Sequence, residues 1–436
     1  MRTKALSTTP RLARREEVDP LAARCGYDLR VKKRASPGFD RRVWLLTGAM
    51  LAFRFGQGLF YPFSSIHFHN VVGIPLSLIG VALGSLAAAS VVSGLVSGPL
   101  SDRYGRKPLM LVSLSGSAAA FFAFSLAEDF AAYLAISVAA GLVSPSMFDA
   151  ARNAMVADVT QPGRRSRAYG LVRVGGNVGW ALGPMVAGLV AASAETQGIY
   201  RTLFVGASAL SALITLVVAL AVEESMPAPK RSAQAGRGAS GLRTALADAP
   251  FLALLASGVL LYYIFTQDWQ ALPIYANNFV GMPDGRIGLF LGANGLVVIL
   301  LQLPISYAID RTSKVWALLV GAALFASSSI TLLLTESFLG ILVAFAGFFT
   351  LAEMILEVAG AALAAELAPV RLRGTYLALF SACFGAAYGL SPVVAGALLE
   401  ARLPGTIWKI QLLAAALAAA GLIAARALGA RRGEKS

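Results

Sequence analysis

The chain reads as twelve long apolar runs separated by short polar turns. Their approximate bounds are 43–64, 74–98, 108–127, 130–155, 168–192, 200–222, 249–275, 286–309, 315–334, 338–365, 372–398 and 406–428. About 20 mostly apolar residues in an α-helix cross the ~30 Å hydrocarbon core of a bilayer. Backbone polar groups in hydrocarbon must be satisfied within the segment, which makes each run a helix. The pattern therefore predicts an all-α integral membrane protein of about twelve transmembrane helices. One long polar break, 223–247, parts the sixth run from the seventh. Its Pro, Gly, Ser and Arg content predicts a flexible linker. The predicted organisation is a six-helix bundle over 43–222, the linker, and a second six-helix bundle over 248–428. Residues 1–42 hold twelve Lys/Arg against five acids and no apolar h-region, so they predict a disordered basic tail and not a signal peptide. Residues 429–436 form a short closing tail.

Composition agrees: 57% of residues are hydrophobic and 14% charged, with mean hydropathy +0.69. A soluble domain has roughly 25% charged residues. The net charge of +14 would raise nucleic acid as a partner of a soluble protein. Here the basic residues sit in tails and turns, so they are read as topology signals and no nucleic acid is expected. Without the first tail, Lys/Arg divide 18 against 4 between the two sides if both termini are cytoplasmic. This predicts a multi-pass protein of the cell membrane with both termini inside. Cys25 and Cys383 give no disulfide framework, and no Cys/His cluster calls for a metal or cofactor. His67 and His69 are expected on the surface of the first external turn.

The two halves echo each other. After the second run comes GPLSDRYGRKP, with Gly98, Asp102, Arg103, Gly105, Arg106 and Lys107; after the eighth comes SYAIDRTSK, with Asp310, Arg311 and Lys314. The fifth run contains GWALGPMVAG and the eleventh AYGLSPVVAG, so Pro-x-x-Ala-Gly recurs at Pro184 and Pro392. Such repeats mark transporter folds with a substrate site between the repeats. The Gly98-x-x-x-Asp102-Arg103-x-Gly105-Arg106-Lys107 string resembles the loop motif of the major facilitator superfamily, and the resemblance covers 43–428. It implies two pseudo-symmetric six-helix bundles. The second copy is degenerate, with Ser306 for the first glycine. Gly170, Gly179, Gly183, Pro184, Ala187 and Gly188 are similar to the fifth-helix motif of the drug–proton antiporters, with Ala187 where that pattern has glycine. As residues, they read as close helix packing with a Pro bend. The family's fourth-helix arginine has no counterpart; Ile136 stands there.

Charge inside hydrocarbon costs several kcal/mol, about 2.5–3.5 by insertion scales, so each such group needs a partner or a watery cavity. Arg54 lies near the middle of the first run and shares a face with Gln57 and Tyr61. This face is expected to line the passage, or to form a structural ion pair. Glu353 and Glu357, four apart in the tenth run, cannot both ionise cheaply in a low dielectric. They are candidate proton carriers or a structural pair, and Glu353 matches a membrane glutamate of a multidrug-exporter branch of the resembled family. Gln267 and Asp268 are expected at an outer gate or cavity mouth, or equally as a solvated acid beside an interfacial Trp269 anchor. Asp149, Arg152 and Arg173 are expected in a charge network with the Asp102 loop, a conformational latch in which Arg152 pairs with Asp102.

The resemblance implies a monomeric secondary transporter that works by alternating access, with the bilayer, a small molecule and protons as partners. Proton-coupled export of amphipathic molecules is the leading expectation, although Arg54 taken alone favours an anion. Proton-coupled uptake of a sugar, organic acid or other metabolite is the alternative. No GxxxxGK[ST] string supports ATP-driven pumping. No nucleophile–base set supports an enzyme, and a transport-dead receptor or scaffold is the remaining class.

Overall fold

The computed structural model describes residues 39–161, 164–193, 198–225, 238–369 and 372–433. Most of the expected basic tail, part of the linker and the last three residues lie outside these. The described residues from Asp40 onward form one compact unit. Among the described residues, 12 helices are long and apolar enough to cross a membrane. In chain order they are α1 (Arg41–Asn70), α2 (Leu76–Tyr104), α3 (Arg106–Leu126), α4 (Phe130–Val159), α5 (Arg167–Ala192) and α6 (Ile199–Ala221). The second set is α7 (Ala249–Asn278), α8 (Asp284–Asp310), α9 (Lys314–Leu334), α10 (Phe338–Leu367), α11 (Arg373–Glu400) and α12 (Pro404–Gly429). A short helix, Gly238–Leu246, precedes α7.

The helices start where the sequence supplies caps. The Asp40 carboxylate accepts from the Arg42 N–H at 2.8 Å and opens α1. Asp129 does the same for α4 through the Ala132 N–H at 2.8 Å. α1 extends to Asn70, which corrects the expected position of the first turn. His67 is consequently not on the surface: it is fully buried against Phe68, Tyr200 and Phe204.

The repeat has a constant register. Asn70 and Asn278 occupy equivalent positions 208 residues apart. The same interval relates Asp102 to Asp310, Gly80 to Gly288, Pro184 to Pro392, Gly188 to Gly396 and Asp149 to Glu357. Equal spacing through twelve helices gives the two halves the same plan.

The halves meet through exchanged glycines. A Cβ added to Gly188 of α5 would stand 2.8 Å from the Gly288 Cα of α8, and one added to Gly396 of α11 would stand 3.2 Å from the Gly80 Cα of α2. Both sites need the missing side chain for backbones to approach this closely. All four lie toward the end opposite the basic loops. There Asn70 and Asn278 exchange amide hydrogen bonds of 3.1 and 2.7 Å, the Leu76 N–H donates to the Glu400 carboxylate at 2.7 Å, and the Tyr200 hydroxyl donates to Asp284. Toward the basic end, Gly98 of α2, Gly170 of α5 and Gly374 of α11 have open space around them. The glycines of these helices are thus in close contact at one end and free of contact at the other. Gly170 is the exception to the expected packing motif: Gly179, Gly183 and Gly188 make tight contacts, with a Cβ on Gly183 2.9 Å from the Gly58 Cα of α1, and Gly170 makes none.

Both fourth helices of the repeat are irregular. α4 breaks at Val143–Ser144, where Pro145 cannot donate to the preceding turn. The Ser113 hydroxyl of α3 donates to the Ser144 carbonyl at 2.8 Å, taking up a group the break exposes. α10 carries a π-helical stretch over Val343–Phe349, with the Thr350 hydroxyl donating to the Phe345 carbonyl at 2.8 Å.

Candidate functional site: a charged and aromatic chamber between the halves

Arg54 organises the α1 side. Its Nη1 donates to Gln57 Oε1 at 2.8 Å and its Nη2 to Asp149 Oδ2 at 2.9 Å. Spacing of three residues puts Arg54 and Gln57 on one face of α1, as the sequence implies. Asp149 also meets Arg152 at 3.2 Å. Arg54 and Asp149 are about a quarter exposed, and Tyr61, one turn beyond Gln57, is half-buried.

The equivalent position on the other half is built from different residues. Tyr262 of α7, the mate of Arg54, donates its hydroxyl to Glu357 of α10, the mate of Asp149, at 3.4 Å. Arg173 of α5 comes from the opposite half to within 3.8 Å of the same carboxylate. Glu353, one turn earlier on α10, accepts from Asn294 of α8 at 3.0 Å, and Asn294 also donates to the Thr350 hydroxyl at 2.8 Å. Neutral partners hold Glu353; among the described residues no Lys or Arg forms an ion pair with it. The π stretch lies immediately before this glutamate. Such bulges frequently mark functional sites in helices.

Aromatic rings complete this cluster, the candidate chamber between the halves. Trp180 of α5 and Trp269 of α7 meet across the halves at 5.5 Å between centroids. Phe384 of α11 touches Tyr262 and Tyr388, each at 5.6 Å, and Phe265 stacks on Phe349 at 5.7 Å. A wall of π faces beside paired charges can hold a body that is partly apolar and partly cationic.

Several expectations need correction. Asp102 pairs with Arg106 at 2.6 Å, not with Arg152. Arg106 reaches Asp158 as well, at 3.3 Å. Asp149 and Arg152 belong to the Arg54 group, because α4 turns them inward above its break. Arg173 faces Glu357 and not the Asp102 loop. The loop itself is anchored within its own half: Glu224 accepts from the Arg106 and Lys107 N–H groups at 3.1 and 2.9 Å, and Lys107 Nζ donates to the Ala219 carbonyl at 2.6 Å. Gly105 has φ +104°, which favours glycine, and a Cβ there would stand 2.6 Å from the Glu224 carboxylate. Gly98 contacts nothing at its Cβ position, Arg103 lies over the Tyr104 ring, and Arg311 lies over Tyr307. Asp310 makes no ion pair among the described residues. Gln267 and Asp268 are not at a mouth: both are fully buried.

Sequence reading missed Asn294, Thr350 and Tyr262. Asn294 carried a usable signal as a lone amide inside the apolar run 286–301. Tyr262 carried another, as the repeat mate of Arg54.

The sequence profile described as Major Facilitator Superfamily matches residues 46–285 and 269–436, and the chain belongs to that family. It is 26% identical over 329 residues to a protein of Yersinia enterocolitica named multidrug resistance protein MdtH, covering 74% of this chain and 78% of that one. It is 25% identical over 382 residues to a protein of Planococcus maritimus named Na(+), Li(+), K(+)/H(+) antiporter, covering 80% and 85%. In fold it is similar to the nucleoside transporter NupG, with a TM-score of 0.68 at 14% identity over 89% of this chain and 99% of that one. The protein is a membrane-embedded transporter of this superfamily.

Proposed function

We propose that the protein is a secondary transporter working by alternating access, exporting small amphipathic molecules in exchange for protons. The observation that carries this reading is Glu353. It sits deep in α10 beside the chamber, held by Asn294 at 3.0 Å, with no ion-pair partner among the described residues. A carboxyl held by neutral groups can gain or lose a proton without breaking an ion pair. The aromatic walls and the Glu353–Glu357 pair suit a partly apolar, weakly cationic substrate. Arg54 does not argue for an anion, because Asp149 already matches its charge at 2.9 Å. The names of the Yersinia and Planococcus relatives support export and proton exchange. With the basic loops in the cytoplasm, the conformation described here opens inward and is closed outward.

Purified protein in proteoliposomes, with an imposed pH gradient and a panel of lipophilic cations and organic anions, tests this. Gradient-driven movement of at least one cation, lost in Glu353→Gln while the protein stays folded, is expected. Movement of every compound at the same rate with and without the gradient contradicts it.

A further inference from the structure

Inside the first half, Phe60 of α1 packs between Phe121 of α3 and Phe204 of α6, with centroids 5.0 and 4.7 Å away. The repeat register of 208 places Asp268 where Phe60 stands and Ser329 where Phe121 stands. Gln411 of α12 stands at the register position of Leu203, the chain neighbour of Phe204 on α6. The three meet: Gln411 Nε2 donates to Asp268 Oδ1 at 2.6 Å, and the Ser329 hydroxyl donates to Gln411 Oε1 at 2.7 Å. An aromatic knot in one half is thus a hydrogen-bonded acid–amide–hydroxyl triad in the other. All three side chains are 0% exposed. They sit inside the second bundle, among α7, α9 and α12, and not in the chamber between the halves.

A polar triad costs more to bury than three rings unless every group is used. Here the groups are not all used. Asp268 Oδ2 has no hydrogen-bond partner, and neither do the Tyr263 hydroxyl, the Ser328 hydroxyl or either amide atom of Gln267. Among the described residues no Lys, Arg or His forms an ion pair with Asp268. Packing alone does not account for an acid in this place.

The next residue connects the triad to the chamber. Trp269 turns the other way, to Trp180 of the opposite half at 5.5 Å and to Phe345 of α10 at 5.3 Å. Pro273, inside α7, has no N–H to give the Trp269 carbonyl four residues earlier. α7 is therefore weakest where it carries Asp268 on one face and Trp269 on the other. A bend of α7 at this point would carry Asp268 and Trp269 together.

We propose that Asp268, positioned by Gln411 and Ser329, is a second proton-binding site, lying behind the chamber and loaded or emptied as α7 bends. A hydronium ion gives its proton to Oδ2 and leaves as water; the reverse step needs water admitted along α7. The coupling part of this proposal rests on the proton-exchange reading above, but the site itself does not.

Difference infrared spectroscopy of the full-length protein in lipid, recorded between acid and neutral pH, tests the site directly through the C=O stretch of protonated carboxyl groups. Asp268→Asn is expected to lose one band that Glu353→Gln retains, and Gln411→Leu to move that same band. The second variant serves if the first fails to fold. Identical carboxyl bands in wild type, Asp268→Asn and Gln411→Leu would overturn the proposal. A wild-type protein that shows the Asp268 band but no gradient-driven flux would sink the transport reading and leave the site standing.

Discussion

Asn70 and Asn278, the last residues of α1 and α7, exchange amide hydrogen bonds of 3.1 and 2.7 Å across the pseudo-twofold of the molecule. They are the same position in the two repeats. Asn277 accepts from Asn70 as well, at 2.9 Å. This amide cluster ties the two bundles together at the closed end, and to open that end the protein must break it.

Each such bond contributes at most about 1 kcal/mol net, less where water competes. Asn278→Ala removes two of these bonds and is therefore expected to shift the closed–open balance by up to roughly thirtyfold toward opening at this end. Spin labels at Val71 and Phe279 report it as a longer distance population. An unchanged distance distribution would show that the glycine contacts alone hold the end shut.

The glycine contacts predict a larger effect. A Cβ on Gly288 would stand 2.9 Å from the Gly188 Cα, with backbone on both sides and no flexible side chain to give way. Gly288→Val is expected to prevent closure, costing on the order of 1–3 kcal/mol by overpacking. Flux should fall in proteoliposomes while the detergent-solubilised protein remains monodisperse. Wild-type flux would show that the closed packing is not visited during turnover.

Arg54, Asp149 and Arg152 form one charge group, and its balance sets another expectation. Asp149→Asn leaves two guanidinium groups near each other with no carboxylate between them, whereas Arg54→Gln leaves Asp149 paired with Arg152 at 3.2 Å. The first should lower the unfolding temperature in detergent more than the second, by a difference of about 1–3 kcal/mol, discounted from fully buried pairs because both groups see water. Equal melting temperatures would mean that water in the passage screens the group.

Asp40 gives a pH dependence outside the membrane. The side-chain hydrogen bond from Arg42 holds its carboxyl below the usual aspartate range. The folded form therefore prefers the ionised cap, so the stabilisation is present at neutral pH and is lost as pH falls below about 4. The Asp40→Ala variant should melt lower than wild type near neutral pH, by about 0.5–2 kcal/mol as for other caps. The gap should close on acidification. A gap independent of pH would assign the effect to something other than the charged cap.

Much of the fold was legible because lipid leaves little choice. Any run of apolar residues this long must be a helix, and the Lys/Arg turns fall between them. The boundaries that moved did so where polar residues remain buried: α1 continues past His67 because aromatic neighbours from α6 cover it. The site was legible residue by residue but not pair by pair. Arg54 and Gln57 lie three apart on one helix, and sequence spacing alone sets them side by side. Asp149 was misassigned because its partner comes from α1, 95 positions away, and no local pattern encodes that. Asp268 was misplaced for the same kind of reason: its amide partner Gln411 comes from α12, 143 positions away, and no local pattern encodes that burial.

The most direct measurement of the central claim is a reversible tether across the closed end. In a chain freed of its native thiols by Cys25→Ser and Cys383→Ser, Asn70→Cys and Asn278→Cys are joined with a short bis-methanethiosulfonate linker. Flux in proteoliposomes is then followed before and after reduction. Alternating access between the halves predicts that the tethered protein stops transporting and recovers when the linker is cleaved. Undiminished flux through the tethered protein would contradict it.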